Sequence, residues 1–108
     1  MAASESLTTE ILKKIKEYTR LVDPEAEVIL FGSRACGDAH ADSDWDILIL
    51  ISGVGTLAVE QVFRHKLFEI ELEYGLAIST FVYSKAAWNG KYQATPLYRN
   101  ITKEGTAI

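Results

Sequence analysis

The sequence predicts an α/β domain of the α+β kind, a small mixed β-sheet of three or more strands with helices packed mainly on one face. Three short apolar runs rich in β-branched residues, at 27–31, 46–52 and 76–83, are separated by longer stretches whose apolar residues recur every three or four positions. The resulting order, α-β-β-α-β-α-α, implies that the sheet is mixed. At 108 residues, 48 % of them apolar and with no internal repeat, the chain fits a single domain over 1–108 with a real but modest core.

Leu7, Ile11, Ile15, Tyr18 and Leu21 or Val22 share one helical face, with Ser6 or Thr8 as N-cap and Asp23-Pro24 as the stop. Glu27 to Phe31 (EVILF) then reads as a largely buried strand that halts at Gly32. Asp46 to Ser52 (DILILIS) is the second strand, closed by the Gly53-Val54-Gly55 turn. From Thr56 as N-cap, Val59, Val62 or Phe63, Leu67, Ile70 and Tyr74 repeat at helical spacing up to Gly75. Leu76 to Tyr83 (LAISTFVY) is the third strand. Ser84 caps a short helix through Trp88, Asn89-Gly90 turns the chain, and Thr95-Pro96 opens a last helix that ends near Gly105.

The composition excludes several function classes. A net charge of −4 argues against an extended nucleic-acid surface, because such binding neutralises phosphates with Lys and Arg. The longest uninterrupted apolar run, Ile47 to Ile51, is far too short to span a bilayer, and the N-terminus has no apolar stretch flanked by positive charge. With one cysteine, Cys36, there is no internal disulfide, and Cys36, His40 and His65 do not form a zinc pattern. The expected location is cytoplasmic, away from any membrane.

Chemistry concentrates between Phe31 and Leu50, in FGSRACGDAHADSDWDILIL. Asp44 and Asp46 lie one residue apart at the start of a strand, so alternation puts both carboxylates on one face and Trp45 on the other. Two such charges repel unless a cation sits between them. Hard oxygen ligands favour Mg2+ or Mn2+, and magnesium leaves coordination positions for substrate phosphates. The Gly32-Ser33 turn suits that ligand: glycine lets backbone approach a phosphate, serine adds an N–H and a hydroxyl, and a helix opened by Arg34 would add a favourable dipole. Asp42 to Asp46 also resembles the opening of a calcium-binding EF-hand loop, but Ile47 stands where that loop needs glycine and Gly53 where it needs glutamate. Asp38 and Asp42 read as loop-capping residues, and His40 as an exposed side chain.

Gly-Ser, ten residues, then Asp-x-Asp resembles the signature of the DNA polymerase β-like nucleotidyltransferase superfamily, and GSRACGDAHADSDWDILIL is similar to its minimal nucleotidyltransferase branch. The resemblance implies the polymerase β-like fold, with Gly32, Ser33 and Arg34 binding a nucleoside triphosphate and Asp44 and Asp46 as catalytic metal ligands for magnesium. It implies transfer of a nucleoside monophosphate, AMP from ATP, to a hydroxyl acceptor with release of pyrophosphate. The resemblance further implies a small helical HEPN-type partner, with which minimal members are often paired, as an antitoxin that adenylylates a toxin tyrosine or as a subunit of such a complex. The apolar, aromatic C-terminal third, with Trp88, Tyr92, Leu97 and Tyr98, offers a contact surface for such a partner or for a homo-oligomer.

The resemblance also implies a third carboxylate on the strand after the second helix. Ser79 or Thr80 occupies that place here, and neither is a carboxylate ligand or a base at neutral pH. Glu69, Glu71 or Glu73 on the preceding helix, or a partner chain, are the alternative sources. The departure gives a second reading, a weakly catalytic or inactive nucleotide-binding module that regulates a partner protein.

Overall fold

The structure, a computed structural model, describes residues 2–32 and 44–108, with side chains from residue 7 onward. Helix α1 spans Ala2–Val22. It begins ahead of the expected caps at Ser6 or Thr8, since Ala2, Ala3, Ser4 and Glu5 include no helix breaker. The helix ends at Asp23, whose Oδ1 accepts from the Glu25 N–H at 3.0 Å and so turns the chain into the first strand.

Strands β1 (Glu27–Phe31) and β2 (Trp45–Ile51) are followed by helix α2 (Leu57–Tyr74), strand β3 (Ile78–Ser84), the short helix α3 (Lys85–Asn89), a 3-10 turn (Lys91–Ala94), helix α4 (Pro96–Glu104) and the two-residue strand β4 (Thr106–Ala107). The expected caps are in place. The Thr56, Ser84 and Thr95 hydroxyls accept from the N–H groups of Val59, Ala87 and Tyr98, and Gly75 ends α2 in the left-handed region, at φ 64°.

The sheet order is β3-β2-β1-β4. β1 runs antiparallel to β2 and to β4, whereas β2 and β3 are parallel, with α2 as the crossover that parallel pairing demands. The sheet is therefore mixed, as the element order predicts. β4 was not foreseen: two residues carry no periodicity, and this strand exists because Ile29 and Leu30 pair with Ala107 and Thr106.

Central strand β2 is buried on both faces, and this accounts for its unbroken aliphatic run. Trp45, Ile47, Ile49 and Ile51 meet α1 and α2 through Ile11, Ile15, Phe63, Leu67 and Ile70. Leu48 and Leu50 point the other way and join Trp88 and Ile101, with Phe81, Tyr83, Tyr92, Leu97 and Tyr98 packed around them. Each fully buried aliphatic or aromatic side chain contributes about 1.5–3 kcal/mol. The two long helices thus share one face, and the short C-terminal helices cover the other.

Of the residues expected to form a contact surface in the C-terminal third, this packing withdraws Trp88 into the core and leaves Tyr92, Leu97 and Tyr98 partly buried. Trp88 is buried against the sheet, with its ring 5.1 Å from that of Tyr98 and 5.5 Å from that of Tyr83. The second face of a central strand needs an apolar cover, and this segment supplies it. Large apolar side chains are instead exposed on α2, at Leu57, Phe68 and Leu72. Among the described residues, no helix is long and apolar enough to cross a membrane.

Candidate active site

Strand register brings the expected residues together. Asp46 lies opposite Phe31 on β1 and beside Ser79 on β3. Because cross-strand neighbours share a face, Asp46 and Ser79 stand on the side of Leu48 and Phe81, away from the buried Trp45. Asp44, just ahead of the strand, is on the same side, since its Oδ2 accepts a long hydrogen bond of 3.4 Å from the Ser79 hydroxyl. The alternation argument holds: both carboxylates share one face.

Gly32 closes the site from β1. Its φ of +77° is left-handed, and a Cβ built on it would overlap Asp46 Oδ2 and stand 3.1 Å from Asp46 Cγ. Only a residue without a side chain lets the β1 turn lie against this carboxylate. Ser33, Arg34, Cys36, Gly37, Asp38, His40 and Asp42 lie outside the described residues, as does the helix expected to open at Arg34.

The structure decides between the two positions expected for a third carboxylate. Thr80 faces the opposite side and is buried, whereas Ser79 is the residue that touches Asp44. The three glutamates on α2 also separate. Glu69 pairs with Lys66 at 3.3 Å and Glu73 with Lys14 at 2.7 Å, while Glu71 Oε2 accepts from the Ile78 N–H at 3.1 Å, at the start of β3. Glu71 and Ser79 line one cleft of about 330 Å³ with Arg64, Ile78, Thr80 and Phe81. Arg64 was missed in the sequence, where Glu60 and Arg64 look like an ordinary i,i+4 helix pair.

Among the described residues, no group of three or more His, Cys, Asp or Glu side chains is placed to hold a metal. The donor set that does exist is two carboxylates and a hydroxyl. All are hard oxygens, and they fit a divalent ion that completes its coordination with phosphate and water. The electrostatics favour such an ion. Burial, and then the neighbouring Asp44 charge, push the Asp46 carboxyl above its usual pKa of 3.8.

That shift has a consequence for stability. A carboxyl raised by folding binds its proton more tightly in the native state, so its stabilisation is present at low pH and lost as pH rises through the raised value. At neutral pH the ionised Asp46 opposes folding. Asp46→Asn is therefore expected to raise the Tm of the metal-free protein near pH 7 and to leave it nearly unchanged near pH 4. Thermal melts in chelator at the two pH values check this, and equal shifts at both would show that the charge is not the cause.

With this fold and site, the chain belongs to the nucleotidyltransferase domain family, whose pattern it matches over residues 10–106. Two relatives come from Methanocaldococcus jannaschii. "Putative protein adenylyltransferase MJ0141" is 40 % identical over 81 residues, 70 % of this chain and 82 % of the relative. "Putative protein adenylyltransferase MJ0604" is 33 % identical over 101 residues, 89 % of this chain and 95 % of the relative. Among solved structures, a toxin–antitoxin crystallised with AMP-PNP superposes with a TM-score of 0.66 at 19 % identity, covering 88 % of this chain and 69 % of that one. A mutant of the toxin–antitoxin MntA-HpeT gives 0.65 at 17 % identity with the same coverage. At these identities the two structures establish the fold alone, and it is the nucleotidyltransferase fold that the Gly-Ser and Asp-x-Asp motif implies.

Proposed function

We propose that this nucleotidyltransferase moves AMP from ATP, with Mg2+ or Mn2+, onto a hydroxyl of a partner protein in the cytoplasm, as the antitoxin of a helical HEPN-type toxin. The observation that carries the reading is the same-face pair Asp44 and Asp46 against the left-handed turn at Gly32. The names of the two relatives support a protein acceptor. Support for a toxin partner comes from the neighbouring structures, and the apolar side chains exposed on α2 suit a protein contact.

In this reading Asp44 and Asp46 hold the divalent ion, and the turn at Gly32 and Ser33, with Arg34, binds the phosphates. When bound, the ion supplies charge neutralisation on the α-phosphate and on the departing pyrophosphate. The buried strand that carries Asp46 fixes its backbone, which sets its carboxylate against the Gly32 turn. The Ser79 hydroxyl orients Asp44.

The test is incubation of the purified chain with α-labelled ATP, Mg2+ and a small helical HEPN-type toxin as candidate acceptor, followed by measurement of label on that protein and of pyrophosphate. No label and no pyrophosphate with such a partner, alongside intact partner binding, would overturn the reading in favour of a regulatory module that does not turn over. That second reading rests on Ser79, a hydroxyl where a general base is implied. General-base catalysis is worth about 10²–10⁴ in rate. If its absence limits turnover, Ser79→Asp should raise AMP transfer by roughly tenfold or more with little change in ATP affinity. Unchanged or lower transfer would show that the base comes from elsewhere.

A further inference from the structure

Among the described residues β3 is an edge strand, with no strand neighbour on the side away from β2. Two α2 side chains occupy that side. Glu71 Oε2 accepts from the Ile78 N–H at 3.1 Å, and Arg64 Nη2 donates to the Thr80 carbonyl at 3.3 Å. Arg64 also pairs with Glu60 at 2.6 Å, yet its side chain remains 56 % exposed. A donor and an acceptor thus stand along the free edge in the places where a further strand would bond.

The cleft they border has a defined relation to the carboxylates. Gly32 lies on the β1 side of Asp46, and the cleft lies on the β3 side, where Ser79 both lines it and touches Asp44. On the proposed adenylyl transfer, on which this inference rests, the phosphates sit at the Gly32 turn. Attacking and leaving oxygens in phosphoryl-group displacement stand roughly in line. With pyrophosphate departing toward β1, the incoming hydroxyl must arrive from β3.

We propose that this cleft is the acceptor site, and that it takes an extended polypeptide segment, recognised through its backbone amides by Arg64, Glu71 and the β3 edge. Main-chain pairing to a sheet edge is a general mode of peptide capture, and alternate side chains of an added strand share the face of Ser79. A hydroxyl-bearing residue in that register lies next to Asp44. Its oxygen forms the new bond to the α-phosphorus, and the bond from that phosphorus to the bridging oxygen breaks. Pyrophosphate leaves with the electron pair, and the hydroxyl proton is released to solvent. Arg64 and Glu71 act as positioning residues, exchanging the β3 edge for the incoming backbone.

The test compares blocked alanine pentapeptides carrying a central Tyr, Ser or Thr with the corresponding blocked single amino acids, using ATP and Mg2+. The best pentapeptide should exceed its single amino acid by about tenfold or more in kcat/KM. Arg64→Met should remove most of that advantage through KM, with AMP-PNP affinity within about twofold of the parent, while Arg64→Lys, which keeps a donor, should retain part of it. In amide NMR spectra, the same pentapeptide should shift Ile78, Thr80 and Arg64 in the presence of AMP-PNP. Absence of the pentapeptide advantage, its persistence in Arg64→Met, or shifts confined to other surfaces would overturn the acceptor cleft while AMP-PNP binding leaves the nucleotide site standing. Failure to bind AMP-PNP with Mg2+ would overturn the adenylyl-transfer reading, and this proposal with it.

Discussion

Asp44→Asn is expected to lose AMP transfer by roughly 10³-fold or more, since removing even one neutral transition-state donor costs about 10²–10³. Asp44 stands exposed ahead of β2, and the Ser79 hydroxyl can donate to an amide oxygen as well as to a carboxylate. Little fold stability is therefore at stake. The substitution removes one of the two charges that hold the divalent ion, so Mn2+ affinity, read by titration in the presence of AMP-PNP, should fall along with activity. A circular-dichroism melt no lower than that of the parent would confine the loss to chemistry, since relief of the repulsion on Asp46 acts only to raise it. Transfer within tenfold of the parent would mean that Asp44 does not hold the ion.

Gly32→Val is expected to lose both ATP affinity and stability, for two separable reasons. At φ +77° a β-branched residue is strained, and the left-handed conformation by itself costs roughly 1–2 kcal/mol. In addition, the new Cβ overlaps the Asp46 carboxylate, which must swing out of the site. Gly75→Ala is the control, because Gly75 has φ +64° with nothing within 4 Å of a Cβ and so reports strain without collision. In a domain of this size each 1 kcal/mol lowers Tm by about 4–8 °C. Both variants should melt earlier, but only Gly32→Val should lose AMP-PNP affinity, by about tenfold or more. Equal affinities for the two would dissociate the Gly32 turn from the phosphate site.

The paired carboxylates were legible because a strand has an alternation of two, which puts Asp44 and Asp46 on one side and Trp45 on the other whatever lies beyond them. Caps at Thr56, Ser84 and Thr95 were legible for a similar reason, since each is a local bond closed within three residues. The cover of the second sheet face was not. Trp88, Tyr92, Leu97 and Tyr98 form an apolar group that serves equally for a partner or for the chain's own sheet, and only the docking of α3 and α4 distinguishes the two.

Periodicity, caps and motif spacing act over a few residues, so the mixed sheet, the order of its elements as far as α4, and the Gly32 and Asp44/Asp46 motif could be read from sequence alone. Tertiary structure alone decided that Ser79, not Thr80, completes the carboxylate face, and that Glu71, unlike Glu69 and Glu73, lies beside Ser79. It also left β3 at the sheet edge, with Arg64 lining the cleft. These are questions of register between strands far apart in the chain. A shift of one residue in the β2–β3 pairing would exchange Ser79 for Thr80, and local propensity has no term that detects it.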